Sequence, residues 1–175
     1  MPKGRFRYLG TQTISFEPEG RMPFSTRYTA TVPAGAGGLN GAKGLASQIS
    51  WTFETPTVKV DRFEPSSGDR QATPDQLIQL SFNQAVSPQA VRDGLACTAA
   101  GQGFPLVLAV PKGGPTGTSV EQVAQRKLFE ERTIALKPGR PLPLGSDIVC
   151  VLKKGFVGAE GPLPTSEDQR FTFRT

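Results

Sequence analysis

Not one histidine occurs among these 175 residues. Ser-His-Asp and Cys-His catalysis both need an imidazole, as does every imidazole-containing metal site, so all of these are excluded at once. Cysteine is nearly as scarce, with Cys97 and Cys150 the only two thiols. No stretch approaches the roughly 18 consecutive apolar residues of a membrane span. The opening MPKGRFRYLG also lacks the apolar run of a signal peptide. The net charge of +5 is not gathered into a patch: Arg5 and Arg7 flank Phe6, and Arg126-Lys127 are followed at once by Glu130-Glu131. Nucleic-acid binding needs clustered Lys and Arg, so this charge reads as scattered over the surface.

Acidic pairs are few. Glu64 with Asp69, and Glu130 with Glu131, come nearest to an acid–base or calcium arrangement, and neither has the spacing of a known loop. GAGGLNG at 35–41 is glycine-rich but lacks the Lys and the helix of a P-loop, so it reads as a turn. With no nucleophile–base set, the expectation is a protein that is not an enzyme and that holds no metal or cofactor.

What is plentiful is turn chemistry. Gly 20 and Pro 16 make up about a fifth of the residues, normal for short strands joined by turns. The chain also repeats itself. Set 13–55 against 133–175, without a gap, and ten positions are identical: Thr13, Ile14, Pro18, Pro23, Gly35, Gly38, Gly41, Thr52, Phe53 and Thr55 match their partners 120 residues on. Others keep their character, among them Phe16 with Leu136, Val32 with Leu152 and Trp51 with Phe171. Fixed-period similarity marks tandem units. SWTFET (50–55) and RFTFRT (170–175) then read as the closing strand of each. On this reading 1–55 is the C-terminal part of a first unit and 56–175 a complete one. If each unit is ~120 residues, the first would begin roughly 64 residues before Met1. Pro56 marks the hinge, since proline cannot extend a ladder.

Alternating apolar residues predict strands at 58–63, 76–82, 91–99, 105–110, 133–136, 147–153 and 170–175. Seven short strands separated by Pro/Gly turns imply two packed antiparallel sheets. The exception is 119–131, where Val120, Val123, Ala124 and Leu128 fit a short amphipathic helix crossing between sheets. PKGGPTG (111–117) before it reads as a mobile loop. Asn83-Gln84 reads as a turn after Phe82, Ser87-Pro88 opens another, Gly145 permits a bend, and Asp147 caps it. Tyr28, Trp51, Phe53, Phe82, Phe171 and Phe173 fall on inferred core faces, whereas Phe6, Tyr8, Phe104 and Phe156 are less committed. In the incomplete first unit, Ile14, Phe16, Tyr28, Val32, Trp51 and Phe53 should stay partly uncovered.

Inward-pointing Cys97 and Cys150 leave two readings. They form a disulfide across the core in an oxidising compartment, or each is simply a small buried apolar residue. The second is favoured by Ala30, the repeat counterpart of Cys150.

VDRFEP (60–65), LIQLSFNQAVSPQAV (77–91), LKPGRPLPLGSDIVCVLKKG (136–155) and the closing FTFRT resemble a bacterial Ig-like repeat. The type is the one found near the N-terminus of bacterial α2-macroglobulin-like proteins. STRYTATVPAG (25–35), LNGAKGLA (39–46) and SWTFET resemble the latter half of the same pattern. The resemblance implies tandem Ig-like antiparallel β-sandwiches, the first truncated. It further implies an envelope protein, periplasmic or extracellular, whose parent traps proteases. Its immediate partners would be neighbouring domains of the same longer chain, with no nucleic acid and no membrane contact by this segment. A reactive Cys-x-Glu-Gln thioester does not occur in it: the cysteines read C97TAA and C150VLK. The competing class is a repeat of an adhesin or surface-layer protein that binds glycan or host protein.

Overall fold

A computed structural model gives the fold of residues 2–10, 13–38 and 43–175. Four strands come first: β1 (Gly4–Tyr8), β2 (Ile14–Pro18), β3 (Arg27–Val32) and β4 (Ile49–Glu54). After Pro56 come β5 (Val60–Glu64), β6 (Ile78–Phe82), helix α1 (Pro88–Gly94), β7 (Leu95–Ala99), β8 (Gln102–Gly103) and β9 (Leu106–Ala109). Helix α2 (Val120–Arg132), β10 (Thr133–Pro138), β11 (Asp147–Leu152) and β12 (Gln169–Arg174) complete the order.

Beyond Pro56 two four-stranded antiparallel sheets form, β5-β6-β10-β9 and β12-β11-β7-β8. Period-2 alternation explains which side chains meet between them. Ile78, Leu80 and Phe82 of β6 and Ile134 and Leu136 of β10 face Ile148, Cys150 and Leu152 of β11, and all are buried. The sheets are also stitched together at their edges. Phe63 of β5 stacks on Phe171 of β12 at 4.5 Å between ring centroids. The side chain of Gln169 accepts from the Val60 N–H and donates to the Val58 carbonyl. The fold is thus an all-β sandwich, and its buried apolar cluster draws on residues from Val58 to Phe173.

Residues 88–94 are helical, not extended. Ser87 caps α1 by accepting from the Ala90 N–H, Pro88 occupies the first turn, and buried Val91 pins the helix to the core. The strand predicted over 91–99 therefore begins only at Leu95. Helix α2 has the expected limits and a capping box between Ser119 and Gln122. Its role differs from the expected one, for it connects β9 to β10, neighbours in one sheet, and buries none of its side chains. Val120, Val123 and Leu128 are exposed.

The loop at 111–117 is anchored at Lys112. Lys112 donates its N–H to Gln79 Oε1, and Gln79 Nε2 donates back to the Lys112 carbonyl. That reciprocal pair explains how a glutamine sits buried in the middle of β6. Gly145 makes its bend at φ 63°. Asp147, expected to cap that bend, instead pairs with Arg174 at 3.0 Å. Phe104 and Phe156 are buried, Phe156 against Phe82.

The first part repeats the geometry of the second, 120 residues earlier. β3 pairs with β4 from Arg27↔Glu54 to Val32↔Ile49, and β11 pairs with β12 from Asp147↔Arg174 to Leu152↔Gln169. Hydrogen bonds outside the ladders repeat too. The Thr55 hydroxyl donates to the Pro23 carbonyl as that of Thr175 does to Pro143, and the Gly35 N–H donates to Leu45 as Gly155 does to Thr165. The ion pair across the strands is conserved with its signs exchanged: Arg27–Glu54 at 2.6 Å, Asp147–Arg174 at 3.0 Å. Among the described residues, the first part has fewer strands to a sheet. β1-β2 and β3-β4 are separate two-stranded sheets. Trp51 is 52% exposed and Phe53 44%, although the alternation assigns both to a core face. Residues 39–42 of the glycine-rich stretch lie outside the described residues.

Candidate functional site

The best-built polar site lies where the two parts meet. It assembles from the turn before β3 (21–26), the residues after β6 (84–85) and the long β11–β12 loop (158–163). Ser25 sits at φ 53°, a conformation unusual for a residue with a side chain. Its counterpart in the repeat, Gly145, has φ 63° and no side chain to strain. Ser25 is wholly buried and fully engaged. Its N–H donates to the Pro56 carbonyl, its own carbonyl accepts from the Leu163 N–H, and its hydroxyl accepts from Gln84 Nε2 at 2.9 Å. Gln84 is equally buried, so the pair is a satisfied polar contact sealed from water.

Glu160 closes the arrangement from the other side. Oε1 accepts from the Ala85 N–H at 3.1 Å; Oε2 accepts from the Phe24 N–H at 3.3 Å and pairs with Arg21 at 2.7 Å. One carboxylate therefore ties a strand end of the second part to the backbone of the first. Arg21 also lies over the Phe24 ring at 4.5 Å. Desolvation alone would push the Glu160 carboxyl up. The Ala85 N–H, the Arg21 guanidinium and the Phe24 N–H outweigh it, holding the group below its ordinary range. Gly161 is required by close approach: a Cβ there would collide with the carbonyls of Phe24 and Ser25. Pro56 is thus not a free hinge, since its carbonyl is bonded to Ser25 and the chain on both sides is clasped.

Cys97 and Cys150 oppose each other in the β7–β11 register, 4.1 Å apart at Cα, and are joined by a disulfide. The bond runs between neighbouring strands of one sheet, where the sequence suggested a bridge across the core. The acidic residues singled out earlier do not converge. Glu64 pairs with Arg62, Asp69 accepts from the Gln71 N–H, and Glu131 pairs loosely with Lys127 at 3.8 Å. Sequence reasoning missed Glu160, which lies in GFVGAEG (155–161), the repeat counterpart of the glycine-rich turn at 35–41. The available signal was the charge itself, Glu160 standing where the first copy has Asn40.

No family model matches the chain. Circularly permutated Ras protein 2 of Dictyostelium discoideum is 26% identical over 175 aligned residues, which cover 94% of this chain and 4% of that protein. Among solved structures, the N-terminal part of the bacterial S-layer protein SbsC superposes with a TM-score of 0.38 at 15% identity, over 67% of this chain and 24% of that one. The chain is similar to these proteins, at levels that place it in neither family.

Proposed function

We propose that this chain is a non-catalytic spacing module of a bacterial α2-macroglobulin-like envelope protein, periplasmic or extracellular, whose parent traps proteases. Residues 1–55 form the C-terminal part of a first Ig-like unit, and residues 56–175 a complete second one. The module's work is mechanical: it sets the distance and angle between neighbouring domains of the same longer chain. The observation that carries this reading is the clasp at the junction. A carboxylate bonded to backbone of both parts, above a buried Ser25–Gln84 contact, supports a fixed joint over a free linker. The bond between Cys97 and Cys150 supports an oxidising compartment.

Two measurements test the proposal. Spin labels at Thr29 and Lys137, one on each part, should give a single narrow distance distribution that broadens in Glu160→Ala. A broad distribution in the unaltered chain rejects the rigid-joint role. The parent identity is tested by the surrounding reading frame together with a capture assay. A Cys-x-Glu-Gln segment and protection of large protein substrates from a protease held by the parent are expected. Tight binding of the chain to a glycan or host protein, with no protease capture by the parent, would move the reading to the adhesin and surface-layer class.

A further inference from the structure

The second unit shows what the first would need. In it, β10 is flanked by β6 as well as β9, and β11 by β7 as well as β12. Among the described residues, the matching edges of β2 and β3 carry no strand. Phe171 of β12 rests on Phe63, whereas its counterpart Trp51 is half in solvent. The outer edge of β12 is strapped by 67–72: Gly68 donates to the Thr172 carbonyl, and the Arg174 N–H donates to Asp69. Among the described residues no such bond reaches Thr52 or Glu54. Entry into the two halves is alike. Gly4 pairs with Pro18 as Leu106 does with Pro138, and the Glu19 N–H donates to Lys3 as the Gly139 N–H does to Pro105. β1 therefore stands where β9 stands, and whatever precedes β9 in the fold has a vacant counterpart ahead of β1.

We propose that the open face of β1 to β4 is a docking surface for one occupant: a segment joined ahead of Gly4 in the same polypeptide and patterned like Val60–Ala99. It adds one strand beside β2 and one beside β3, lays an apolar or aromatic side chain on Trp51, and straps the edge of β4. At the position facing Ala30 it carries a small apolar residue, because Ala30 replaces the cysteine that bonds Cys97. Backbone pairing supplies the affinity, and alternate side chains supply the fit. The inference rests on the repeated register and stands whether or not the parent traps proteases.

The test uses the chain as it is and a chimera in which a copy of residues 56–105 is fused to Gly4. Trp51, the only tryptophan, reports on the face. In the unaltered chain, acrylamide should quench Trp51 freely at every protein concentration; in the chimera quenching should fall several-fold. A second variant keeps the test decisive if the borrowed strands pack only weakly. Ala30→Cys is added to the chimera, the grafted segment is marked by Thr98→Ser, and the protein is exposed to oxidised glutathione. A disulfide between position 30 and the grafted Cys97 traps the strand beside β3 in the register of β7 on β11. Thr31→Cys, which points to the opposite face, should form none. No crosslink at either position, or equal crosslinking at both, overturns the proposal. Protection of Trp51 in the unaltered chain overturns it too: a rise with concentration would assign the face to a second copy, and protection at every concentration would mean that the face closes on itself.

Discussion

Glu160 concentrates the electrostatics of the junction, and its removal separates two kinds of loss. Glu160→Gln keeps the shape but leaves one of the Ala85 and Phe24 N–H groups facing a donor. A donor left unsatisfied at this half-buried site should cost about 1 kcal/mol, which a shift in urea midpoint at neutral pH would show. The pH dependence follows from its lowered pKa. The stabilisation is complete above the ordinary value of 4.5 and is lost as pH falls through the lower folded value. The gap between the native chain and Glu160→Gln should therefore close on acidification below about 4.5. A gap that stays constant to pH 2 would show that the carboxylate's charge is not what matters. Gly161→Ala drives a methyl into carbonyl oxygens and should cost about 1–3 kcal/mol, by the same denaturation readout. None of this could be read along the chain, because Glu160 gains its meaning only when 158–163 meets 21–26. Ser25 was nearer to legibility: glycine stands at its repeat position, a hint that the backbone there turns left-handed.

Elements carried by period-2 alternation were readable, and so was α2, but the short capped helix α1 was not. β11 and β12 lie within one residue of their expected limits, since Ile148, Cys150 and Leu152 alternate with no helix signal near them. VRDGLACTA alternates just as well, yet Ser87-Pro88 starts a helix before it, and the local cap prevails over the pattern until Gly94. β1 was missed because Arg5 and Arg7 gave GRFRY no buried face to display. α2 was located by composition but misjudged in role. Its apolar spacing suggested burial, whereas Phe129 is its one half-covered apolar side chain, beside Gly114. Leu128→Lys should thus change stability by no more than about 0.5 kcal/mol, while Leu136→Ala in β10 should cost about 2–5 kcal/mol. Equal losses in thermal unfolding would mean that α2 is packed after all. Replacing Cys97 and Cys150 together by Ala, the residue the first copy carries at the position of Cys150, releases a loop with a sequence separation of 53. That should lower stability by about 2–4 kcal/mol, with a native-like circular dichroism spectrum retained.

For the molecule as a whole, the duplication was visible in ten identical residues, and it correctly aligned strands, register and turns 120 positions apart. What it could not reveal was how unequal the two copies are. A two-sheet sandwich with a buried core adjoins hairpins whose aromatic faces meet water, so amide exchange should be faster in β3 than in its twin β11. Exchange at equal rates would indicate that the hairpins are as firmly held as the sandwich.

The exchanged signs at the strand ends bear on how such a chain avoids tangling. Repeats built on one register offer every strand a second, wrong mate. Were β3 to seek β12, Arg27 would face Arg174; were β11 to seek β4, Asp147 would face Glu54. Like charges directly opposite are unfavourable, by roughly a few tenths of a kcal/mol at an exposed site, and correct pairing replaces both clashes with attractions. Reversing the first pair, Arg27→Asp with Glu54→Arg, would leave each repeat internally content yet make the mates interchangeable. Native stability should hold within about 0.5 kcal/mol, while the monomer recovered after refolding, measured by size-exclusion chromatography, should fall. Two ordinary surface ion pairs would then act as kinship marks, telling each ribbon which sibling to refuse.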